Sequence, residues 1–292
     1  MDLVFSTERQ SWPLRLTGDA ERTRQALLRA LPLPLQLHTP KIAGSHIYWH
    51  APFVEDVEGS THVLDAPAGA FIYWPVRQFL EITFAPLQAE TAHVTVLGHL
   101  EAPVEGIAAL AADLKREQGR RIFAGTLSRV AAAHDVTQAP SPLPPDLVAA
   151  REALWRECPD DIARLTRSRK IMHPAGPLFA AEGEARVLHE LLWWLRSERS
   201  GTEARVLRHM AAIALDKAAT RLRDFCHMDT SPALLFQLKA AMREDLPFDA
   251  LIDEAILVAG RIGAWIDLLI PWNDLNEALR GALDHGSPSW NG

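Results

Sequence analysis

The chain is 292 residues long, with 48% apolar and 23% charged residues, the proportions of an ordinary globular protein. Its length exceeds one ordinary hydrophobic core, so two domains are expected. A formal net charge of −7 with no local basic run speaks against a nucleic-acid partner, whose phosphates require clustered Lys and Arg.

Met1 to Gln10 has no basic stretch leading into an apolar core, so no signal peptide is expected. An edge strand is predicted over Leu3 to Phe5 and Leu14 to Leu16. A short helix follows, with Asp19 as its N-cap and Thr23, Ala26, Leu27 and Ala30 at helical spacing. Leu31-Pro32-Leu33-Pro34 ends it, because proline cannot continue a helix. From Lys41 to Leu100, short β-branched and aromatic runs alternate with Gly, Pro and acidic turns, the texture of a sheet or barrel. Alternation puts His46, Tyr48 and His50 on one strand face and Ile47 and Trp49 on the other. In Arg77 to Phe84 it sets Leu80, Ile82 and Phe84 against Arg77, Phe79, Glu81 and Thr83. In Ala92 to Leu100 it sets Ala92, Val94, Val96 and Gly98 against His93, Thr95, Leu97 and His99.

Ile107 to Lys115 reads as helix, and Ile122 to Ala131 as a last strand or a helix. Gln138 to Pro145 is proline-rich, stiff and poor in buriable surface, which makes it the expected domain boundary. The domains are then a β-barrel over 1–137, a linker over 138–146 and an all-α bundle over 147–292. Helical stripes run through Glu182 to Arg196, Glu203 to Phe225 and Asp253 to Leu269, and Trp272-Asn273-Asp274 caps a last helix to Leu283. The longest apolar run, Ala255 to Ile270, is broken by Arg261 and Asp267 and is shorter than the roughly 20 residues of a membrane span. Cys158 and Cys226 are too few for a disulfide framework. A cytoplasmic protein with no membrane partner is expected.

Missing motifs narrow the function. There is no GxGxxG and no GxxxxGK[ST], hence no dinucleotide or phosphate loop, and no HExxH or GxSxG. His46 and His50 share a face, but four residues of strand hold them about 13 Å apart, too far to chelate one ion. Neither cofactor nor metal is expected.

Two groups of segments carry a resemblance. Lys41-Ile42-Ala43-Gly44-Ser45-His46-Ile47-Tyr48-Trp49, Ala68-Gly69-Ala70-Phe71-Ile72-Tyr73-Trp74-Pro75 and Val96-Leu97-Gly98-His99-Leu100 resemble the cyclophilin-like barrels of small bacterial proteins. With the second, Arg169-Lys170-Ile171-Met172-His173-Pro174-Ala175-Gly176-Pro177 running into Glu182 and His189-Glu190-Leu191-Leu192-Trp193, the whole resembles the cucumopine and mikimopine synthases. The resemblance implies an α+β protein, a cyclophilin-like β-barrel followed by a helical bundle. It also implies a Pictet–Spengler-type condensation of L-histidine, or a similar amino acid, with α-ketoglutarate, or a similar α-keto acid, without reductant. The prolyl-isomerase motif of the shared barrel, Arg followed by Pro-Gly-Phe and Gln-Gly-Asp, is absent.

Such a reaction needs an amine to attack a ketone, water to leave, a ring carbon to attack the iminium, and a base to take the ring proton. Groups titrating near neutrality serve these steps, and arginine forks hold carboxylates. Arg77 is the candidate carboxylate clamp; a same-face ion pair with Glu81 is the competing reading. Glu81, among Phe79, Leu80 and Ile82, is the candidate general base, against an exposed strand residue. His50 and His46 are candidates for proton shuttling or carboxylate binding, against hydrogen-bonded structural histidines. Tyr48 and Tyr73 offer hydroxyls to the carbinolamine and Trp74 a stacking face, against a plain aromatic core. His173 and Glu182 form a candidate acid–base pair on a loop over the barrel mouth, with Lys170 for a carboxylate, against a solvated loop at a helix start. Two rivals remain: a hydrolase or lyase acting on a small carboxylated substrate, and a non-enzymatic small-molecule-binding module. Trp12, Trp290 and the bundle stripes leave apolar surface for a homodimer.

Overall fold

The computed structural model describes residues 2–41, 44–87, 92–130, 141–165 and 175–285. The N-terminal part carries strands β1 (Asp2–Thr7), β2 (Ser11–Leu16), β3 (Leu33–Leu37), β4 (His46–His50), β5 (Thr61–His62), β6 (Ala70–Trp74), β7 (Phe79–Thr83), β8 (His93–Leu100) and β9 (Phe123–Arg129). Helices α1 (Glu21–Ala30) and α2 (Glu105–Arg116) are interspersed. The strands form one antiparallel sheet in the order β3-β9-β1-β2-β8-β6-β7-β4, with β5 paired to β8. Just past β3, His38 pairs with Tyr48 of β4 by backbone bonds of 2.8 and 3.1 Å, which brings the sheet nearly to a closed barrel.

Alternation explains the barrel interior. Leu3, Phe5, Leu14, Leu35, Ile47, Trp49, Phe71, Tyr73, Leu80 and Ile82 point to one core and are essentially inaccessible. Phe5 stacks between Trp12 and Trp49, with centroids 5.2 and 5.4 Å away.

The structure departs from several expectations. Leu3 to Phe5 and Leu14 to Leu16 are not an edge; they lie in the interior hairpin β1–β2, flanked by β9 and β8. Asp19 does not cap α1, whose N-cap is Ala20. The Glu58 carboxylate instead reaches in from another loop and accepts the N–H groups of Arg22 (3.3 Å) and Thr23 (2.7 Å), a carboxylate at the positive helix end. Leu33 to Leu37 is a strand despite Pro34, paired to β9, so the ambiguous segment from Ile122 is a strand over Phe123–Arg129, and Ala131 lies outside the described residues. In β8 a bulge makes Leu97 an extra residue, because Phe71 faces Gly98 while Ile72 faces Val96. The simple two-face division of Ala92 to Leu100 therefore breaks there, and Leu97 turns into the core.

The C-terminal part is helical: α3 (Pro145–Arg156), α4 (Asp160–Leu165), α5 (Ala175–Ser197), α6 (Ala204–Asp224), α7 (Thr230–Ala241), α8 (Phe248–Leu269) and α9 (Trp272–His285). Residues 138–140 of the expected linker lie outside the described residues, and Pro145 is the first residue of α3, a position that needs no N–H. The apolar run that resembles a short span is α8, buried almost all round at the centre of the bundle core. Among the described residues no single helix is long and apolar enough to cross a membrane. One flank of α8 packs on β4, and α5 packs on the turn after β6. His46, Ile47, Tyr48 and Trp49 are consequently all buried: the strand has the barrel core on one face and helices on the other.

Candidate active site

The polar face of β4 meets the helices on the outer wall of the barrel. In the ladder, Tyr48 lies opposite Glu81 and His46 opposite Thr83. Glu81 is 0% exposed, and its Oε2 lies 3.1 Å from His46 Nε2. Burial lowers the His46 pKa to about 4, so the imidazole is neutral at pH 7 beside the Glu81 carboxyl group. The turn before β4 sets this ring. Gly44 has φ +145, and a Cβ there would lie 2.7 Å from the His46 ring and 2.9 Å from Pro40. Tyr48 stacks on Phe79 at 4.0 Å and on His38 at 4.9 Å, which holds its hydroxyl toward α8.

That hydroxyl meets Asp267, the hub of the second half of the cluster. Asp267 Oδ2 takes His38 Nδ1–H at 2.9 Å and faces the Tyr48 hydroxyl at 3.5 Å. Its Oδ1 takes Trp272 Nε1–H at 2.9 Å and the Lys41 ammonium at 2.7 Å. Lys41 also reaches Glu182 Oε1 at 2.7 Å and lies 4.5 Å above the Trp272 ring. Burial works against the Asp267 charge, but the His38 bond and the Lys41 ammonium reverse it and hold the carboxyl well below the usual range. Burial likewise opposes the Lys41 charge and is outweighed by Asp267 and Glu182, so its pKa is raised. Tyr48 is pushed well above 10 by burial and by the Asp267 charge, and stays a proton donor. His38, lowered by burial, is neutral.

Beyond Tyr48, the His50 ring stands edge-on to Phe79 at 5.0 Å and to His38 at 5.5 Å. Burial holds its pKa well below the usual value, helped by the nearby His38, His189 and Arg261. Gln78, in a left-handed conformation (φ 56), anchors the end of β7: Nε2 donates to Ala51 O at 2.6 Å and Oε1 faces His189 Nε2 of α5 at 3.0 Å. Burial lowers His189 to about 3.

The expected site residues thus divide. Glu81, His46, Tyr48 and His50 come together on the outer wall of the barrel, and Glu182 joins them through Lys41. Arg77 lies in the turn Pro75–Arg77 rather than on the strand, because Gln78 breaks the alternation; it pairs with Glu190 of α5 at 3.0 Å. Tyr73 points into the barrel, where its hydroxyl accepts Glu55 N–H at 3.1 Å and donates to Glu55 O at 3.3 Å. Trp74 packs with Ile72, Val94 and Leu87 in a small outer cluster. His173 and Lys170 lie outside the described residues. His38, Lys41, Gln78, His189, Arg261 and Asp267 escaped the sequence reading. Arg261 and Asp267 had a visible signal, two charges inside the most apolar run of the chain.

Among the described residues no three His, Cys, Asp or Glu side chains are disposed to hold a metal ion. One surface concavity is lined by Trp12, Leu110 and Arg121, and another, at the α5–α6 surface, by Lys217 and Phe225; neither includes the cluster.

No protein-family model matches the chain, and no curated protein matches it. Among solved structures, McbB in complex with tryptophan is similar with a TM-score of 0.75 at 15% identity, over 94% of this chain and 99% of that one. The likeness establishes a shared fold that spans both the barrel and the helices. The hypothetical protein AF2241 from Archaeoglobus fulgidus is similar over 44% of this chain and 95% of its own, with a TM-score of 0.34 and 20% identity.

Proposed function

We propose that this protein is an enzyme that joins an amino acid to an α-keto acid and closes a ring between them without a reductant. The observation that carries this is the Glu81–His46 pair, a carboxyl group with no exposed surface 3.1 Å from a neutral imidazole, beside a protonated tyrosine. Such a pair suits removal of a carbon-bound ring proton, since a desolvated carboxylate is a stronger base than one in water.

In the proposed sequence, the α-amine adds to the keto carbon to form a carbinolamine. Tyr48 gives its phenolic proton to the carbinolamine hydroxyl, which leaves as water to form the iminium, and the phenolate later recovers a proton from Glu81, its neighbour in the ladder. The electron-rich ring carbon of the amino acid then attacks the iminium, and Glu81 takes the proton from that carbon, restoring aromaticity. One water is lost for each product formed. His46 keeps the Glu81 carboxylate aimed, and His50 and the Lys41–Glu182 pair line the substrate. Arg77, at the edge of the same face, is a further carboxylate contact.

The fold shared with the tryptophan-bound McbB supports an amino-acid substrate. Histidine, the substrate implied by the cucumopine synthase resemblance, has the same two features as tryptophan: an α-amine and a nucleophilic ring carbon within reach of it. The test is mass spectrometry of the protein incubated with L-histidine or L-tryptophan and α-ketoglutarate, with chelator and without nucleotide. A product at the summed mass less one water is expected, falling at least ~10²-fold in Glu81→Gln. An unchanged rate in that variant removes Glu81 from the mechanism. No product from any amino acid and keto acid pair removes the condensation.

A further inference from the structure

Arg261 is a charged side chain at the middle of the central helix, and it is only 3% exposed. A buried guanidinium ordinarily has a carboxylate beside it. Among the described residues Arg261 has none: its Nη2 donates to Gln36 Oε1 at 2.5 Å and to Trp155 O at 2.9 Å. The guanidinium lies over the Trp265 ring at 4.1 Å and near the Trp155 ring at 5.0 Å, contacts that favour a cation without neutralising it. Its Nε finds no protein partner.

The surroundings repeat the pattern. Gln36 precedes His38 by two residues, on the same side of the chain leaving β3. Arg261 lies within electrostatic reach of both His38 and His50, and His50 within reach of His189. His38 Nε2 and His50 Nδ1 are buried and, like Arg261 Nε, have no protein partner. His38, His189 and Arg261 act on His50 against its charge and Asp267 acts for it, but the two Asp267 oxygens are already engaged by His38, Trp272 and Lys41. Burial pulls the Arg261 pKa down to about 9, the response of a cation lacking a counter-charge.

We propose that Arg261, with His50, forms a carboxylate-binding subsite that receives the second carboxylate of a dicarboxylic keto acid. Its assignment to the keto acid rests on the condensation proposed above; the carboxylate site itself rests on the geometry. Along β4, His50 stands two residues beyond Tyr48, about 7 Å at the usual strand rise. That offset suits a keto carbon at Tyr48 and Glu81 with the far carboxylate at His50 and Arg261. The free Nε–H of Arg261 supplies one charge-assisted donor, and a His50 N–H supplies a second by tautomer choice.

Succinate is the probe, because it binds without reacting. Isothermal titration of the full chain is expected to detect succinate binding in the wild type and in Glu81→Gln. In Arg261→Met the dissociation constant rises by about tenfold or more, the loss of one charge-assisted pair. His50→Leu weakens binding in the same direction, and it decides the matter if Arg261→Met does not fold. In turnover, Arg261→Met loses preference for α-ketoglutarate over pyruvate. Absent succinate binding in the wild type, or equal binding in Arg261→Met and His50→Leu, overturns the subsite. Succinate binding through Arg261 with no condensation from any pair overturns the proposed reaction and leaves the subsite standing. Condensation with no dicarboxylate preference does the reverse.

Discussion

Replacing Asp267 by asparagine keeps the shape of the hub and removes its charge. The wild-type carboxylate accepts on both oxygens: His38 at 2.9 Å on one side, Trp272 at 2.9 Å and Lys41 at 2.7 Å on the other. An amide accepts at one end and donates at the other. With its NH₂ toward His38, the imidazole proton must move to Nε2, which is buried and has no protein partner. With its NH₂ the other way, it opposes both the ammonium and the indole N–H. Either mismatch costs about 1–3 kcal/mol. The lost attraction to Lys41 adds less than a fully buried pair would, because that side chain is 26% exposed and keeps Glu182 at 2.7 Å. Together Asp267→Asn is expected to destabilise by about 3 kcal/mol, or about 6–12 °C in Tm. The assay is thermal and urea unfolding of Asp267→Asn, Lys41→Met and the double variant. The cycle should return a coupling of about 1–2 kcal/mol. The Asp267 contribution is present at neutral pH and fades as pH falls from about 4 toward its depressed folded pKa. The variant should therefore lose less stability between pH 5 and 3 than the wild type. A loss within about 0.5 kcal/mol at pH 7, or additive single effects, would refute the hub.

Two further predictions concern the same face. His46 and His189 have folded pKa values of about 4 and about 3 against about 6.5 unfolded, so the unfolded chain takes up protons first as pH falls. Each should remove about 2 kcal/mol between pH 7 and pH 5, read from urea midpoints; a flat profile there would mean that neither imidazole is buried in solution. Gly260→Ala gains about 1 kcal/mol of helix propensity, yet its Cβ would collide with Gln78 Oε1 and lie 3.0 Å from the His189 ring. Overpacking by about 1–3 kcal/mol should outweigh that gain, so a variant with a raised Tm would show that Gln78 and His189 yield freely.

The strand alternation of Lys41 to Leu100 was legible because each strand has one aliphatic face, and that alone separated Ile47 and Trp49 from His46, Tyr48 and His50. What covers the polar face was not legible. The pattern of a strand buried against polar groups resembles that of a strand facing water, so the site was expected at the barrel mouth rather than on its outer wall. Arg77 was misplaced because a left-handed Gln78 interrupts the register, and nothing in the residue type announces that conformation. Asp267 and Lys41 lie 226 positions apart in the chain, and Arg261 and Gln36 lie 225 apart. Contacts at that separation leave no local periodicity. Charges inside α8 were read only as evidence against a membrane span, although a charge in a buried helix also implies a partner to be sought.

The closure of the barrel has a consequence for how its parts can move. Among the described residues, the staves β3 and β4 are joined by one backbone pair, His38 with Tyr48, and both of these side chains are fastened to the same aspartate of α8. The helices are therefore not a lid resting on a finished container; their central member is the clasp of the hoop. Prising α8 away to admit a substrate slackens the hoop at that join, and tightening the hoop draws α8 back. Admission of a ligand and integrity of the wall are then one equilibrium, so a molecule that bridges Tyr48 and α8 stiffens a barrel whose interior it never enters.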